Sequence, residues 1–243
     1  MKSKQICLFL GAIALLPLSL QSQEIKTEPP AAPVATPSPA PKPASKPVYR
    51  PPMVGAPAVR VGGGSRGGGS DAVLEALVPD HAGLTTKAQP ALFWYQSKPA
   101  KARLEITFAE PKKVQPIARM QSKSANKTGI QRIDLSKFNV KLQPNVSYKW
   151  SIAIVADDQK RSMDLVASGV ITRVPESEEL AAKLKAASPG ERPSIYAAAG
   201  IWYDSLEAAS DLINSNPADK ELHAQRADLL RQVGLAGAAD SDK

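Results

Sequence analysis

Cysteine, histidine and aromatic residues are all scarce in this chain of 243 residues. It holds one cysteine, Cys7, and two histidines, His81 and His223, while Phe, Trp and Tyr together make up 5% of it. A single cysteine excludes an internal disulfide and a site built from several cysteine ligands. Two histidines leave little material for a zinc centre or a histidine-based catalytic pair. Since H-E-x-x-H and C-x-x-C motifs are also missing, we expect neither an enzyme nor a cofactor.

The first 22 residues have the layout of a secretory signal peptide. Lys2 and Lys4 precede a nearly uncharged apolar run at residues 6–20. That run is too short to span a membrane comfortably as a mature helix. We therefore expect an exported protein, periplasmic or extracellular. It is cleaved near residue 22 or, if cleavage fails, it stays tethered by its N-terminal segment.

Residues 23–70 are predicted to form a linker. Residues 29–57 hold 11 prolines in 29 positions, a composition that cannot bury a core and that populates polyproline II. We interpret this stretch as a disordered spacer, and its alternative role is a basic arm that docks an anionic surface or a partner. Residues 61–70 are rich in glycine and read as a hinge. A G-x-G-x-x-G pattern within them lacks the preceding strand that a dinucleotide site requires.

Residues 71–175 are predicted to form an antiparallel β-sandwich. Six short stretches either alternate apolar and polar side chains or form apolar runs between turn residues. The alternation points Trp94 and Trp150 into the core. The predicted strands are 91–95, 103–108, 117–120, 130–135, 146–155 and 165–174.

Residues 142–150 carry a more specific pattern, L-x-P-x-x-x-Y-x-W. It resembles the entry to the sixth strand of fibronectin type III domains, which share the immunoglobulin-like sandwich. The resemblance implies that Tyr148 forms a tyrosine corner, in which the hydroxyl hydrogen-bonds back to the backbone.

Residues 176–236 are predicted to be helical and residues 237–243 to be a disordered tail. Ser177 can cap a first helix at 178–187, and two amphipathic segments follow, 195–214 and 220–233. The whole chain is thus an α+β protein. Its β-sandwich is followed by an α-helical region.

Glycines recur in this helical region at the period of tetratricopeptide repeats. Gly200 and Gly234 lie 34 residues apart, and Trp202, Ala209 and Pro217 fit the same register. No second helix is predicted after Gly234, which leaves about one and a half repeats. Because three repeats are normally needed for independent stability, these helices should pack on the sandwich or on another protein.

Charge is distributed unevenly along the chain. Residues 85–150 carry 13 Lys and Arg against three acidic residues, whereas residues 175–243 carry seven basic and 12 acidic residues. In an exported protein a basic face favours anionic lipid, polysaccharide or an acidic partner. The aromatic interleaving that marks single-strand nucleic-acid binding is missing, and we expect no nucleic-acid partner.

Asp157, Asp158, Arg161 and Asp164 form the densest polar cluster of the sequence. It lies in the predicted loop between the last two strands. A weak calcium site and a carboxylate pair for acid–base chemistry are both conceivable uses. The favoured interpretation is a solvated hairpin tip with an Asp–Arg pair, and no metal site is predicted.

Several short motifs occur together in an order that resembles a bacterial exported family, domain of unknown function number 928. The resemblance covers roughly residues 60–236 and implies export and domain order but no activity. The motifs are the glycine-rich run and residues 77–79, 83–86, 93–95, 148–150, 161–162, 169–174 and 199–204.

These observations lead to two hypotheses about function. In the first, the chain is a non-enzymatic adaptor of the cell envelope that binds another protein through its helical region, with Trp202, Tyr203, Asp204 and Leu206 at the interface. In the second, the basic sandwich binds an envelope glycan or an anionic lipid. The oligomeric state does not follow from the sequence.

Overall fold

The computed structural model describes residues 46–52, 60, 63–64, 72–110, 113, 115–122 and 126–242. The predicted signal peptide and most of the predicted linker lie outside these residues. The described residues belong to one compact unit, 41–243. Strands come first along this unit and helices follow, which makes the protein a mixed α+β protein.

The residues that the structure describes form nine strands in two sheets. The strands are β1 Gly63–Gly64, β2 Val73–Ala76, β3 Gly83–Thr85, β4 Ala91–Gln96, β5 Arg103–Ala109, β6 Ala118–Ser122, β7 Gly129–Asp134, β8 Ser147–Val155 and β9 Leu165–Arg173. The first sheet has the order β1-β2-β4-β7 and is antiparallel throughout. The second has the order β3-β9-β8-β5-β6 and is antiparallel except for the pair β3 and β9. All six predicted strands are present, with ends shifted by one or two residues.

Both sheets contribute side chains to a single hydrophobic core. Alternation along β5 and β8 turns one face of the second sheet inward, and the register sets Phe108 of β5 opposite Trp150 of β8. Trp150 is fully buried. Leu74 and Trp94 belong to the same core from the first sheet. The inward orientation predicted for the two tryptophans is therefore confirmed.

The hydrogen bond that the fibronectin resemblance implies for Tyr148 is present. Its hydroxyl accepts a hydrogen bond of 3.1 Å from the amide of Gln143, five residues upstream. The ring itself is buried and packs near Phe108. The bond thus ties the chain entering β8 to the strand itself.

Five α-helices follow the sheets: α1 Glu178–Ala186, α2 Arg192–Ala198, α3 Trp202–Ser215, α4 Lys220–Gln232 and α5 Ala236–Ser241. The predicted cap of α1 is confirmed, because the Ser177 hydroxyl accepts the amide of Leu180. Between α1 and α2, residues Pro189–Glu191 form a 3-10 turn in which Ser188 and Glu191 make a capping box, and this turn leads into α2 at Arg192.

Helices α2 and α4 are each followed, two residues beyond their last residue, by a glycine with positive φ. The φ angle is 75° at Gly200 and 76° at Gly234, a conformation that residues with a Cβ rarely adopt. In each case a further helix follows, α3 after Gly200 and α5 after Gly234. The 34-residue spacing therefore separates two equivalent helix–glycine–helix turns.

The C-terminal end corrects two expectations, namely the missing second helix after Gly234 and the disordered tail at 237–243. Helix α5 runs to Ser241, and its alanines 238 and 239 are buried. The Asp242 carboxylate then accepts hydrogen bonds from the Arg226 guanidinium at 2.6 and 2.7 Å and lies 2.7 Å from His223 Nδ1. Arg226 is 8% exposed, and a buried guanidinium needs such a counter-ion, which fixes the chain end.

The predicted linker is also corrected in part. Residues 46–52 lie against the helices, and Tyr49 among them is only 7% exposed. A tyrosine ring buries enough apolar surface to hold a short segment that proline-rich composition alone would leave free. Most of the remaining linker, with its neighbours 53–59, lies outside the described residues.

The Tyr148 bond generates a stability prediction. Replacing Tyr148 by phenylalanine removes the acceptor of the Gln143 amide while keeping the ring, and we expect a loss of about 0.5–1.5 kcal/mol in the free energy of unfolding. Urea denaturation measures it. Tyr95→Phe is the matched control, because Tyr95 is partly buried on β4 and its hydroxyl has no hydrogen-bond partner in the described part of the chain. Equal stabilities of the two variants would contradict the prediction.

Candidate functional site

The first turn of α3 is the most deeply buried helical segment of the protein. Trp202, Tyr203 and Asp204 are consecutive residues, and each is at most 1% exposed. Neighbouring side chains on a helix point about 100° apart, so a helix lying on a surface cannot bury three in a row. The N-terminal end of α3 is therefore enclosed by its neighbours on several sides.

Trp202 connects the helix to the end of β2. Its indole Nε1 donates a hydrogen bond of 2.9 Å to the carbonyl of Leu77, just beyond that strand. On its other side the indole meets the ring of Tyr49 edge to face, at 5.0 Å between centroids. Trp202 therefore joins the sheet, the helix and the 46–52 segment.

Tyr203 reaches into the core of the second sheet. Its hydroxyl accepts a hydrogen bond of 2.8 Å from Trp150 Nε1 and donates one of 3.2 Å to the carbonyl of Val170. Burial raises the pKa of this hydroxyl well above its ordinary value, so it remains a donor. Gly83 makes the approach possible, because a Cβ there would lie 2.7 Å from Cε2 of Tyr203.

Asp204 is a fully buried carboxylate with three donors. It accepts hydrogen bonds from the Thr85 hydroxyl at 2.5 Å, from the Thr86 hydroxyl at 2.5 Å and from the Thr86 amide at 3.0 Å. Burial raises the pKa of the Asp204 carboxyl, and the bonds from Thr85 and Thr86 offset only part of the rise. Buried polar groups need such partners, which explains why two threonines follow one another at the end of β3.

One turn further on, the acidic face of α3 neutralises basic residues of the sheets. Glu207 lies 3.0 Å from Lys87 Nζ and 3.2 Å from Arg132 Nη2. Asp211 also pairs with Arg132, whose guanidinium lies 5.6 Å from the ring centroid of Phe93. The basic surplus of the sheets and the acidic surplus of the helices therefore meet partly inside the molecule.

This geometry corrects the interface predicted from the sequence. Trp202, Tyr203, Asp204 and Leu206 were expected to face a partner, and all four are buried within the chain itself. The motifs that carry the family resemblance, among them 77–79, 83–86 and 199–204, converge at the same junction. They hold the helices on the sheets, and Thr85 and Thr86 contribute by donating hydrogen bonds to the buried Asp204.

The predicted polar cluster is a set of ion pairs at a loop. Arg161 Nε lies 2.6 Å from Asp164, as the expected Asp–Arg pair requires, and its Nη2 lies 3.3 Å from Glu105 on β5. Asp158 instead pairs with Arg103. The fourth predicted member, residue 157, accepts a backbone amide of its own loop and does not join the others. Glu105, only 6% exposed and contacted by three arginines, is the member that the sequence analysis missed.

The described residues contain no group of three or more His, Cys, Asp or Glu side chains arranged to hold a metal ion. Residues 63–67 formally match G-x-S-x-G, but a nucleophile elbow turns from a strand into a helix, whereas Gly63–Gly64 is followed by β2. Ser65 itself lies outside the described residues.

Within the part of the chain that the structure describes, no helix is long and apolar enough to cross a membrane.

A second site, missed by the sequence analysis, is the groove that receives residues 46–52. We call it the arm groove; it is lined by Ala197 of α2, Trp202 of α3, Gln232 of α4 and His81 before β3. The segment in it has no regular secondary structure. The groove therefore holds a piece of extended polypeptide.

Asp204 generates a prediction about pH. A folded-state pKa above the ordinary value of 3.8 means that the stabilising contribution of Asp204 is complete below pH 3.8 and is lost as pH rises through the raised pKa. An asparagine at this position would not titrate. The stability of the wild type relative to Asp204→Asn should therefore fall as pH rises above about 3.8, by at most about 1.4 kcal/mol per pH unit.

Urea denaturation across this pH range measures the difference. Asp157→Asn, the same substitution at an exposed loop position, is the control for the effect of the substitution itself. A wild-type advantage that grows with pH would mean that the three donors outweigh burial and lower the pKa.

Comparison with known families places the chain. A family model described as Domain of Unknown Function (DUF928) matches residues 61–242, which include every strand and helix given above but not the 46–52 segment. Among curated proteins, none matches the chain. The motifs that meet at the first turn of α3 lie within the matched region, and the resemblance they suggested is confirmed: the chain belongs to the DUF928 family.

Proposed function

We propose that this protein is an exported, non-enzymatic protein of the bacterial cell envelope that binds another protein through its helical region. The observation that carries the proposal is the arm groove, in which the helices hold an extended polypeptide segment. Main-chain hydrogen bonds and one buried aromatic ring hold that segment, as in recognition of a separate peptide. An adaptor needs such a surface and no catalytic group.

The two halves of the molecule support this role as scaffold and binding surface. We interpret the sheets as a fibronectin type III or immunoglobulin-like sandwich, since β2-β4-β7 and β9-β8-β5-β6 correspond to the A-B-E and G-F-C-C′ strand orders of such domains. We interpret α2 to α5 as tetratricopeptide-like, because the two helix–glycine–helix turns repeat after 34 residues. Repeats of this kind bind extended peptides on their concave face.

The junction at α3 explains how so short a repeat region can be stable. One and a half to two repeats are too few to be stable alone, and the buried contacts of Trp202, Tyr203 and Asp204 supply the missing support. The partner therefore contacts the outer helical surface and the arm groove, where Trp202 presents its ring, whereas Tyr203 and Asp204 lie outside the interface. Deletion of the helices would also expose Trp150, so point variants are the better test.

A second candidate function is binding of an anionic glycan or lipid by the sheets. Lys101, Lys127, Lys141 and Lys149 are exposed and have no acidic partner among the described residues. Against it, Lys87 and Arg132 are neutralised by α3. Because exposed charges are screened by salt, this kind of binding should weaken steeply as ionic strength rises, whereas the groove contacts should not.

Export is tested with a reporter that folds only where disulfides form. Residues 1–60 fused to a disulfide-dependent phosphatase should give activity, because the enzyme stays reduced and inactive in the cytoplasm. Reversing the charge of the basic start, Lys2→Glu with Lys4→Glu, should lower this activity several-fold. The control is Lys26→Glu, beyond the signal segment. Equal activity of the unmodified fusion and of the fusion with Lys2→Glu and Lys4→Glu would contradict the proposed signal.

The partner surface is tested by lysine crosslinking in intact cells followed by mass spectrometry. We expect one recurrent protein, retained at high salt and linked to Lys183 and Lys220 of the helices. Crosslinks confined to Lys127 and Lys141, or recovery only of glycan or lipid that salt releases, would favour the second candidate. Absence of any recurrent protein would contradict the adaptor.

A further inference from the structure

We propose that the arm groove is a binding site for an extended, proline-flanked segment of a partner protein that carries a tyrosine and, three residues before it, a basic residue, and that residues 46–52 occupy it as a built-in competitor. This inference rests on the proposed function and names the chemistry of the partner. It follows from how the groove holds its present occupant, whose sequence is Lys-Pro-Val-Tyr-Arg-Pro-Pro.

The side-chain amide of Gln232 hydrogen-bonds the backbone of the occupant through both its oxygen and its nitrogen. Its Oε1 accepts the amide of Tyr49 at 2.7 Å, and its Nε2 donates to the carbonyl of Pro47 at 2.9 Å. A third main-chain bond of 3.0 Å runs from the amide of Arg50 to the carbonyl of Ala197. Bonds to main-chain groups fix an extended conformation and are independent of side-chain identity, so they suit any peptide of this shape.

The tyrosine supplies the specificity. Its ring stacks on His81, with centroids 5.9 Å apart, and meets Trp202 edge to face. Its hydroxyl lies 2.9 Å from His81 Nε2, so that a phenylalanine would lose a hydrogen bond inside the pocket. Val48, the residue before it, is 59% exposed. Alternation of buried and exposed positions is typical of an extended peptide bound along one side.

Two further features fit a basic, proline-flanked segment. Lys46 Nζ lies 3.5 Å from the Asp228 carboxylate at the rim of the groove. Beneath the following residues, Gly200 leaves room for the chain, because a Cβ there would lie 2.9 Å from the carbonyl oxygen of Arg50 and 3.4 Å from Cδ of Pro52. A residue with a side chain in place of Gly200 would therefore close the groove.

The occupant belongs to the same chain, and it therefore competes with any partner. A tethered segment has an effective concentration on the order of 1 mM, so with a dissociation constant near 0.1 mM for the free segment 46–52, any partner peptide would bind the intact chain about tenfold more weakly than an empty groove. Residues 46–52, which we call the arm, thus raise the partner affinity or concentration that is needed to occupy the groove.

The test uses a labelled synthetic peptide with the sequence of residues 46–52 and the full chain, followed by fluorescence anisotropy. Tyr49→Ala empties the groove, and Arg50→Pro, which removes the amide bound to Ala197, is a second way to do so if the first variant does not fold. We expect both to bind the peptide about tenfold more tightly than wild type. Val48→Ala is the matched control and should bind like wild type. A thermal melt checks that each variant is folded.

Two further measurements complete the test. Gln232→Ala in the Tyr49→Ala background should abolish peptide binding, and a peptide with alanine in place of its tyrosine should not bind. Folded Tyr49→Ala and Arg50→Pro variants that bind no peptide would overturn the inference, as would equal binding of the alanine peptide. A concentration-dependent dimer of the wild type that Tyr49→Ala abolishes would assign the groove to a second copy and overturn the partner assignment.

Failure of this inference is distinguishable from failure of the proposed function. A protein crosslinked to Lys183 and Lys220 whose capture is unaffected by Tyr49→Ala and by excess peptide would leave the adaptor in place and overturn the groove assignment. Peptide binding without any captured protein would contradict the adaptor and leave the groove as a peptide site.

Discussion

Burial of the Asp204 carboxylate is the constraint on which the relation between helices and sheets depends. Removing a carboxylate from water costs several kcal/mol unless donors replace the water. The donors here are two threonines at the end of β3, so α3 can dock in one position and at one rotation. Tyr203, one residue earlier, is thereby aimed at Trp150. A junction of this kind specifies geometry more than it adds stability.

The arm groove is a product of that geometry. Three of its walls are helices and the fourth is His81, which lies between β2 and β3. If α3 could rotate or slide on the sheet, the tyrosine pocket between Trp202 and His81 would have no fixed width. The rigid junction and the peptide site are therefore parts of one arrangement, in which the sheets form a wall of a site that belongs mainly to the helices.

The elements of this fold are largely predictable from the sequence, whereas their mutual contacts are not. Alternation located β5 and β8, and Ser177 marked the start of α1, because both signals are local. The same local signals show that Trp202 is apolar and on a helix, but they do not say whether the protein's own sheet or a partner covers it. The burial of Tyr49 was not predicted for another reason: the proline-rich composition around it indicated disorder, and a single aromatic residue does not change that composition.

The distribution of charge along the sequence is an equally limited guide to contacts. The surplus of basic residues in the sheets suggested an anionic ligand, yet Glu207 and Asp211 of α3 take up part of it through Lys87 and Arg132. A count along the sequence cannot tell charges that pair within the molecule from those that face solvent. The helix at α5 was missed because it is held by tertiary contacts: Ala238 and Ala239 are buried, and Asp242 just beyond it pairs with Arg226 of α4.

The position of the arm along the chain has a consequence for how the molecule assembles. Tyr49 and Gln232 are 183 residues apart, and synthesis proceeds from the N-terminus, so the arm is made long before the last wall of its groove. Contacts of such sequence separation form late and slowly, because a long loop must close first. A newly made chain therefore passes through a period in which the arm is free and its tyrosine is exposed. The nascent protein then presents a different surface from the finished one.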